Sequence, residues 1–170
     1  MEPAVLSERY QVRRLTEADV EAIYQLCAEN PLFYQHCPPF VTRESIRADS
    51  RALPPGKTAA DKYYLGYFQG DKLAAVLDLI LDYPRAQTAF VGFFMLARQL
   101  QGRGVGSAIV AGALQALARQ GYTHVRLGYV KGNPQSEAFW LKNGFRPTGI
   151  ETRPASYTVV VLERPTAQPE

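Results

Sequence analysis

The feature that most constrains the fold is a glycine-rich turn, Gln-Gly-Arg-Gly-Val-Gly, at residues 101–106. The apolar, aromatic run at 91–96 before it is typical of a buried strand. After the turn, apolar residues recur at helical spacing from Val105 to Leu117, which predicts a long helix. The first N–H groups of a helix are unpaired, the helix dipole is positive there, and glycines let the backbone approach a ligand closely. This order of strand, turn and helix therefore predicts a cradle for a phosphate group.

Spacing argues against two common phosphate loops. The dinucleotide fingerprint needs three glycines at fixed spacing, but counting from Gly102 the third position is Ser107. The acidic residue expected about 20 residues later is also missing, because residues 122–130 contain no Asp or Glu. The Gly-Lys-Ser/Thr ending of the P-loop is absent as well. A nucleotide-binding oxidoreductase is therefore disfavoured.

A third pattern fits. The spacing Gln101-x-x-Gly104-x-Gly106, followed by Asn133 and by the block Trp-Leu-Lys-Asn-Gly-Phe at 140–145, resembles the GCN5-related N-acetyltransferase (GNAT) family. The resemblance spans nearly the whole chain and is strongest over 91–145. It implies an α/β (α+β) GNAT fold, in which a central mixed sheet of about seven strands is flanked by about four helices.

Apolar periodicity and turn residues divide the chain into the order β α α β β β α β α β β. Thr16 and Thr42 are predicted to cap the first two helices, and the aromatic, proline-rich segment 32–40 is predicted to be an irregular connection. Strands are predicted at 10–15, 62–69, 73–82, 87–96, 122–130, 145–152 and 156–162. The chain is predicted to be one domain, 1–170, with a frayed tail at 164–170.

The resemblance implies acetyl-CoA as cofactor. The pantetheine arm would add to the backbone of the central strand as an extra strand does, at Phe94, Met95 and Leu96. The pyrophosphate would lie over the turn, which comprises Gln101, Gly102, Arg103, Gly104, Val105, Gly106 and Ser107. Asn133 would bond to the amide arm, with Ser136 and Lys142 as further contacts. The residues alone also allow Asn133 to act as the N-cap of the following helix, and Arg103 to be a solvated surface side chain.

Transfer of an acetyl group to an amine needs a group that removes a proton from the amine. The glutamate that often serves in the family is missing from 91–96, so the nearest candidates are Asp78 and Asp82 on the preceding strand. A hairpin through 83–86 would place Asp78 about opposite Gly92, near the cofactor half of the central strand. Asp78 is therefore predicted to be the base, and the alternative is a structural acceptor for loop N–H groups. Asp82 is predicted to cap the turn.

The proton donor and the acceptor site are less defined by the sequence. Trp140 stands where the family usually has a tyrosine acid, so Tyr10 and Tyr157 remain as substitutes by residue type alone. Phe33 and Tyr34, together with Tyr157, are predicted to form a wall of the acceptor pocket, and a lid on the core is the alternative. A small amine and a protein amino group are equally compatible acceptors. The missing tyrosine also leaves open a non-catalytic acyl-CoA-binding or sensor module.

Composition limits the remaining function classes. A net charge of +3 without a run of Lys and Arg argues against nucleic acid as partner, and no apolar run approaches the length of a membrane span. The two cysteines and two histidines lack metal-ligand spacing, so no metal is expected. The N-terminal segment does not have the pattern of a signal peptide. The sequence therefore predicts a cytoplasmic enzyme with reduced thiols, as a monomer or homodimer.

Overall fold

The central element is a seven-stranded mixed β-sheet with the order β1-β2-β3-β4-β5-β7-β6. The computed structural model describes residues 1–167. The strands are β1 Gln11–Arg14, β2 Lys62–Gln69, β3 Lys72–Ile80, β4 Thr88–Leu96, β5 His124–Val130, β6 Arg146–Thr152 and β7 Val159–Pro165. Strands β4 and β5 are parallel, and the other neighbouring pairs are antiparallel. The predicted mixed sheet and the predicted parallel pair around the glycine turn are both confirmed.

Helices cover both faces of the sheet. They are α1 Val20–Ala28, α2 Pro31–His36, α3 Arg43–Arg51, α4 Val105–Arg119 and α5 Pro134–Lys142. One apolar core joins Ile109 and Leu117 of α4 to Leu77 and Leu79 of β3. A second core, on the opposite face, joins α1 and α3 to Val76. Neighbouring residues of β3 serve different cores because successive side chains of a strand point to opposite faces.

Short polar signals fix where the first helices begin. The Thr42 hydroxyl accepts a hydrogen bond from Ser45 N at 3.0 Å, which caps α3 as predicted.

The prediction that residues 32–40 form an irregular connection is wrong for the first half of that segment, which folds as α2. Pro31 occupies the first helical position, where its fixed φ favours the helix and its missing N–H has no cost. None of the residues of α2 is fully buried.

The two central strands separate part-way along their length. Parallel pairing between β4 and β5 runs from Thr88 to Val91 in β4 and goes no further among the described residues. In the antiparallel pair with β3, Leu79 lies opposite Val91 and Asp78 lies opposite Phe93, so Gly92 is the extra residue of a β-bulge. The second half of β4 therefore keeps β3 on one side and has an edge without a strand on the other.

The C-terminal end of the last strand corrects another prediction. Residues 164–166 are not frayed, because Arg164 pairs with Val125 in the sheet. The Thr166 hydroxyl also donates to the carbonyl oxygen of Tyr122 at 2.7 Å. The sequence in this region looked polar, but pairing with β5 provides hydrogen-bond partners that composition does not show. The rest of the predicted tail, 168–170, lies outside the described residues.

Candidate active site

A groove of about 540 Å³ opens where β4 and β5 separate. Its walls are the second half of β4, the glycine turn, α5 and the link between α1 and α2. Most of the predicted cofactor residues line it, namely Phe94, Met95, Leu96, Gln101, Gly102, Gly104, Gly106, Ser107, Ser136 and Lys142. The fold thus brings together residues that are up to 48 positions apart in the chain, counted from Phe94 to Lys142.

Glycine is required in the turn for two different structural reasons. Gly102 and Gly104 have φ of +72° and +77°, a left-handed conformation that side chains disfavour, and open space lies where their Cβ atoms would be. Gly106 is helical, and a Cβ there would lie 3.1 Å from Cε2 of Phe139. The first two glycines therefore shape the turn, whereas the third lets α4 pack against α5.

The start of α4 is suited to an anionic group. The first hydrogen bond of this helix runs from Ala108 N to Gly104 O, so the N–H groups of residues 105–107 precede the bonded ladder. The Ser107 hydroxyl is buried and has no hydrogen-bond partner among the described residues. A buried polar atom without a partner needs an explanation. The hydroxyl lies beside unpaired N–H groups at the positive end of a 15-residue helix, where a phosphate group could supply that partner.

The side chain of Gln101 holds the turn in place. Its Nε2 donates to Oδ1 of Asn30 at 2.6 Å and to the carbonyl oxygen of Leu96 at 2.9 Å. Asn30 in turn donates to the carbonyl oxygen of Leu26 in α1 at 2.9 Å. Asn30 lines the groove and was not identified as a site residue from the sequence, where its only signal was the helix end before Pro31.

Three predicted cofactor residues, Arg103, Val105 and Asn133, are not part of the groove wall. Asn133 is 2% exposed, and its Oδ1 accepts a hydrogen bond from Ser136 N at 3.2 Å. This is the N-cap role that the sequence allowed as the alternative. A cofactor contact by Asn133 stays a prediction.

Asp78 is a buried carboxylate with a buried cationic partner. Its Oδ2 accepts from Nζ of Lys62 at 2.8 Å, and the two residues are 8% and 5% exposed. A Cβ on Gly92 would lie 2.8 Å from the same oxygen, so the glycine does leave the room that the sequence suggested. The other oxygen, Oδ1, is buried and has no partner among the described residues. The donor to Asp78 is the Lys62 side chain rather than the loop N–H groups that the alternative named. Whether Asp78 is a base or a structural acceptor stays a prediction.

The pKa of the Asp78 carboxyl is raised by burial, which the hydrogen bond from Lys62 only partly offsets. Lys62 also donates to the carbonyl oxygen of Ala52 at 3.0 Å. Lys62 could not be identified from the sequence, since a lysine at the first position of a strand is an ordinary surface residue until the sheet register is known. A carboxyl with a raised pKa can both accept and release a proton nearer neutral pH.

Asp78 does not line the groove itself. Two aromatic rings lie between Asp78 and the groove. Phe33 lines the groove and packs edge-on against Phe93, with ring centroids 5.7 Å apart. Phe93 is the cross-strand partner of Asp78. Tyr34 packs edge-on against Phe33, with ring centroids 4.9 Å apart, and is not part of the groove wall. Phe33 therefore lies between the groove and the polar face around Asp78.

The two tyrosines named as acids differ in position. Tyr10 is 7% exposed and packs in the core against Tyr67, which removes it from the site. Tyr157 lies in the connection between β6 and β7, next to Cys37 at the end of α2. Interaction with the Cys37 thiol, together with burial, raises the pKa of Tyr157 to about 12. Such a phenol is a weak proton donor near neutral pH.

Trp140 is a packing residue that also lines the groove. It is 8% exposed, and its ring centroid lies 4.8 Å from that of Phe139, 5.2 Å from Phe145 and 5.9 Å from Phe94. These edge-on contacts fill the space between α5 and the sheet. The indole therefore stabilises the groove wall.

We expect Trp140→Phe to lower stability by about 1–3 kcal/mol, because the smaller ring leaves a cavity beside Phe145. CoA affinity should fall modestly, and turnover should stay within about tenfold of wild type, since the indole is not an ionising acid. Chemical denaturation, calorimetry and steady-state rates measure these three effects. A loss of several hundredfold in turnover, with folding and binding intact, would show that the indole takes part in the chemistry.

The comparison with known families decides the assignment. The sequence profile of the acetyltransferase (GNAT) family matches residues 18–145, which include α1, the glycine turn and α5. The chain belongs to the GNAT acetyltransferase family. No curated protein sequence shows a significant match to it.

Solved structures of GNAT proteins share the fold. An acetyltransferase from Thermus thermophilus is 23% identical with a TM-score of 0.69, over 91% of this chain and 95% of that one. The ribosomal-protein-S18-alanine N-acetyltransferase of Escherichia coli is 15% identical with a TM-score of 0.64, over 94% and 95%. The PaiA N-acetyltransferase of Thermoplasma acidophilum, solved with coenzyme A, is 19% identical with a TM-score of 0.65, over 91% and 97%.

Two further properties concern the described residues alone. None of the helices within 1–167 is both long enough and apolar enough to cross a bilayer. In the same part of the chain, no three His, Cys, Asp or Glu side chains come together as metal ligands would.

Proposed function

We propose that this GNAT protein is an acetyl-CoA-dependent N-acetyltransferase that moves the acetyl group directly to a primary amine of a small molecule or protein. The observation that carries the proposal is the groove at the separated strands, which ends at the unpartnered Ser107 hydroxyl and the start of α4. When bound, acetyl-CoA supplies a thioester that an amine can attack. The resemblance in fold to a GNAT enzyme solved with coenzyme A supports the choice of cofactor.

The residues that would hold the cofactor follow from the groove wall. The free edge of β4 at Phe94, Met95 and Leu96 offers backbone donors and acceptors to an extended amide-containing arm. The glycine turn, the first N–H groups of α4 and the Ser107 hydroxyl would bind the anionic part. Lys142, on the groove wall at the end of α5, adds a positive charge.

We assign the removal of the amine proton to Asp78, either by direct contact or through one water molecule. Its raised pKa suits a base, and Lys62 stabilises its ionised form. A strong acid is not required, because a thiol has a pKa of about 8.5 and its thiolate departs readily near neutral pH. Direct transfer also agrees with the state of Cys27: burial raises the pKa of this thiol to about 11, so it is not a ready nucleophile.

A non-catalytic acyl-CoA-binding module remains the second candidate, and the position of Asp78 behind Phe33 and Phe93 is the observation in its favour. Calorimetry with CoA, together with thiol release from acetyl-CoA in the presence of primary amines and peptides, separates the two. We expect micromolar binding, on the order of the usual enzyme range, and amine-dependent thiol release. Binding without thiol release from any amine would support the second candidate, and no binding would contradict both.

A further inference from the structure

A small apolar cavity lies directly behind the wall of the groove. It has a volume of about 20 Å³ and lies between α4 and the strands β3, β4 and β5. The cavity and the groove share two residues of their walls, Phe94 and Trp140. Every residue of the cavity wall is apolar. An apolar group could therefore enter the cavity without leaving a buried polar atom unpaired.

The cavity faces the point where β4 and β5 separate. Val91 and Phe94 are half-buried, whereas all the other residues of the cavity wall are buried. The pairing of β4 with β5 ends at Val91, and Phe94 lies on the part of β4 that follows. The side of the cavity that solvent reaches is therefore the side of the groove, next to the strand edge that we expect to bind the pantetheine arm.

The size of the cavity limits what can enter it. A space of about 20 Å³ exceeds the roughly 10–15 Å³ that one water molecule needs, but an apolar wall offers a water no hydrogen-bond partner. Wall atoms that face an empty space lose dispersion contacts. One additional carbon of a ligand would restore such contacts, whereas a longer chain would press on a closely packed core.

We propose that this cavity binds the end of an acyl chain one carbon longer than acetyl, so that the site takes propionyl-CoA as well as acetyl-CoA. This inference rests on the proposed acyl transfer and defines the class of acyl donor. The chemistry is the same for both donors: the amine nitrogen bonds to the acyl carbon, Asp78 takes the amine proton, and the C–S bond breaks with its electron pair on the departing sulfur. The additional carbon lies in the cavity and takes no part in this step.

Acetyl-, propionyl- and butyryl-CoA form a matched series of probes, because each differs from the next by one methylene group. Calorimetry without an amine should show that propionyl-CoA binds about fourfold more tightly than acetyl-CoA, the effect of burying one methylene group. Butyryl-CoA should bind about tenfold more weakly than propionyl-CoA, because no space remains for its last carbon. With an amine that supports acetyl transfer, kcat/KM should follow the same order.

Two variants of α4 change the cavity in opposite directions. Ala113→Val adds two carbons to the wall, so it should remove the advantage of propionyl-CoA and keep acetyl-CoA affinity within about threefold of wild type. Ile109→Val removes one carbon from the wall and should raise the affinity for butyryl-CoA by about tenfold, a gain that lost stability cannot produce. Ala116→Val is the control, because Ala116 is buried on the same helix but is not part of the cavity wall. It should keep the wild-type order of the three donors.

The proposal is overturned if the wild-type protein binds propionyl-CoA no more tightly than acetyl-CoA. It is also overturned if both cavity variants keep the wild-type order of the three donors. Should Ala113→Val fail to fold, the affinity of Ile109→Val for butyryl-CoA decides alone. Either result would leave acetyl transfer standing. No binding of any of the three donors would contradict the proposed function itself, and this inference with it.

Discussion

Replacing Gly104 by aspartate should weaken CoA binding by about 10²-fold or more, the equivalent of about 3 kcal/mol of repulsion between like charges in a partly buried site. The new carboxylate would stand at the N-cap of α4, on the wall of the groove, where open space receives it. It would oppose the anion that we expect there and would occupy the positive end of the helix. Raising the salt concentration should recover part of the affinity, because salt screens charge repulsion.

Gly104→Asn is the matched control, since Asn and Asp have the same size and both tolerate a positive φ. Binding by this variant should stay within about tenfold of wild type, because it changes shape without adding charge. Gly149→Asp controls for backbone strain: Gly149 also has a positive φ, of +87°, with nothing near its Cβ position, but it lies on the edge strand β6. If calorimetry shows equal CoA affinity for Gly104→Asp and wild type, the phosphate cradle has been assigned to the wrong residues.

Gly106 is a poorer site for this experiment than the sequence suggests. Its spacing makes it equivalent to Gly104 in the motif, but a Cβ would press on Phe139 at 3.1 Å. A larger side chain there would disturb the packing of α4 on α5, and lost folding would be mistaken for lost binding. Glycine is therefore required at two positions of one motif for different reasons, and only the three-dimensional packing distinguishes them.

Features set by neighbouring residues could be predicted from the sequence. The strand at 62–69, the cap at Thr42 and the turn before α4 depend on alternation, short-range hydrogen bonds and glycine conformation. The resemblance to the GNAT family then supplied the sheet and the cofactor residues that line the groove. These two sources identified most of the groove wall.

Features that depend on residues far apart in the chain could not be predicted from the sequence. The Lys62–Asp78 pair joins residues 16 positions apart through the register of two strands, and the Asn30–Gln101 bond joins residues 71 apart. A single residue of slip in a strand reverses the face of every side chain, so such pairs depend on the register of the whole sheet. The bulge at Gly92 shows this directly, because it moves the partner of Asp78 from Gly92 to Phe93.

Asp78→Asn should reduce the rate of acetyl transfer by about 10²-fold or more while CoA binding stays intact, the usual scale for loss of a general base. Asparagine keeps the size of the side chain beside Gly92 but cannot accept the amine proton. The pH profile gives a second readout. Burial raises the Asp78 pKa, so the wild-type rate should rise with pH through a limb above the ordinary carboxyl value of about 3.9. Below that limb the carboxyl is protonated and cannot act as a base, and in Asp78→Asn the limb should disappear.

Two further variants separate chemistry from stability. Removing the carboxylate leaves the buried Lys62 charge without its partner, and this commonly lowers the free energy of unfolding by about 3–5 kcal/mol. Asp78→Asn should therefore also be examined together with Lys62→Met, which removes that charge. Asp82→Asn is the control for a nearby acid, because Asp82 accepts a hydrogen bond from Gln87 N, at 2.8 Å, in the turn before β4. We expect the double variant to be as slow as Asp78→Asn, and Asp82→Asn to transfer acetyl at the wild-type rate. Should both Asp78 variants fold, bind CoA and keep a rate within about threefold of wild type at neutral pH, the ion pair is structural and water alone removes the proton from the amine.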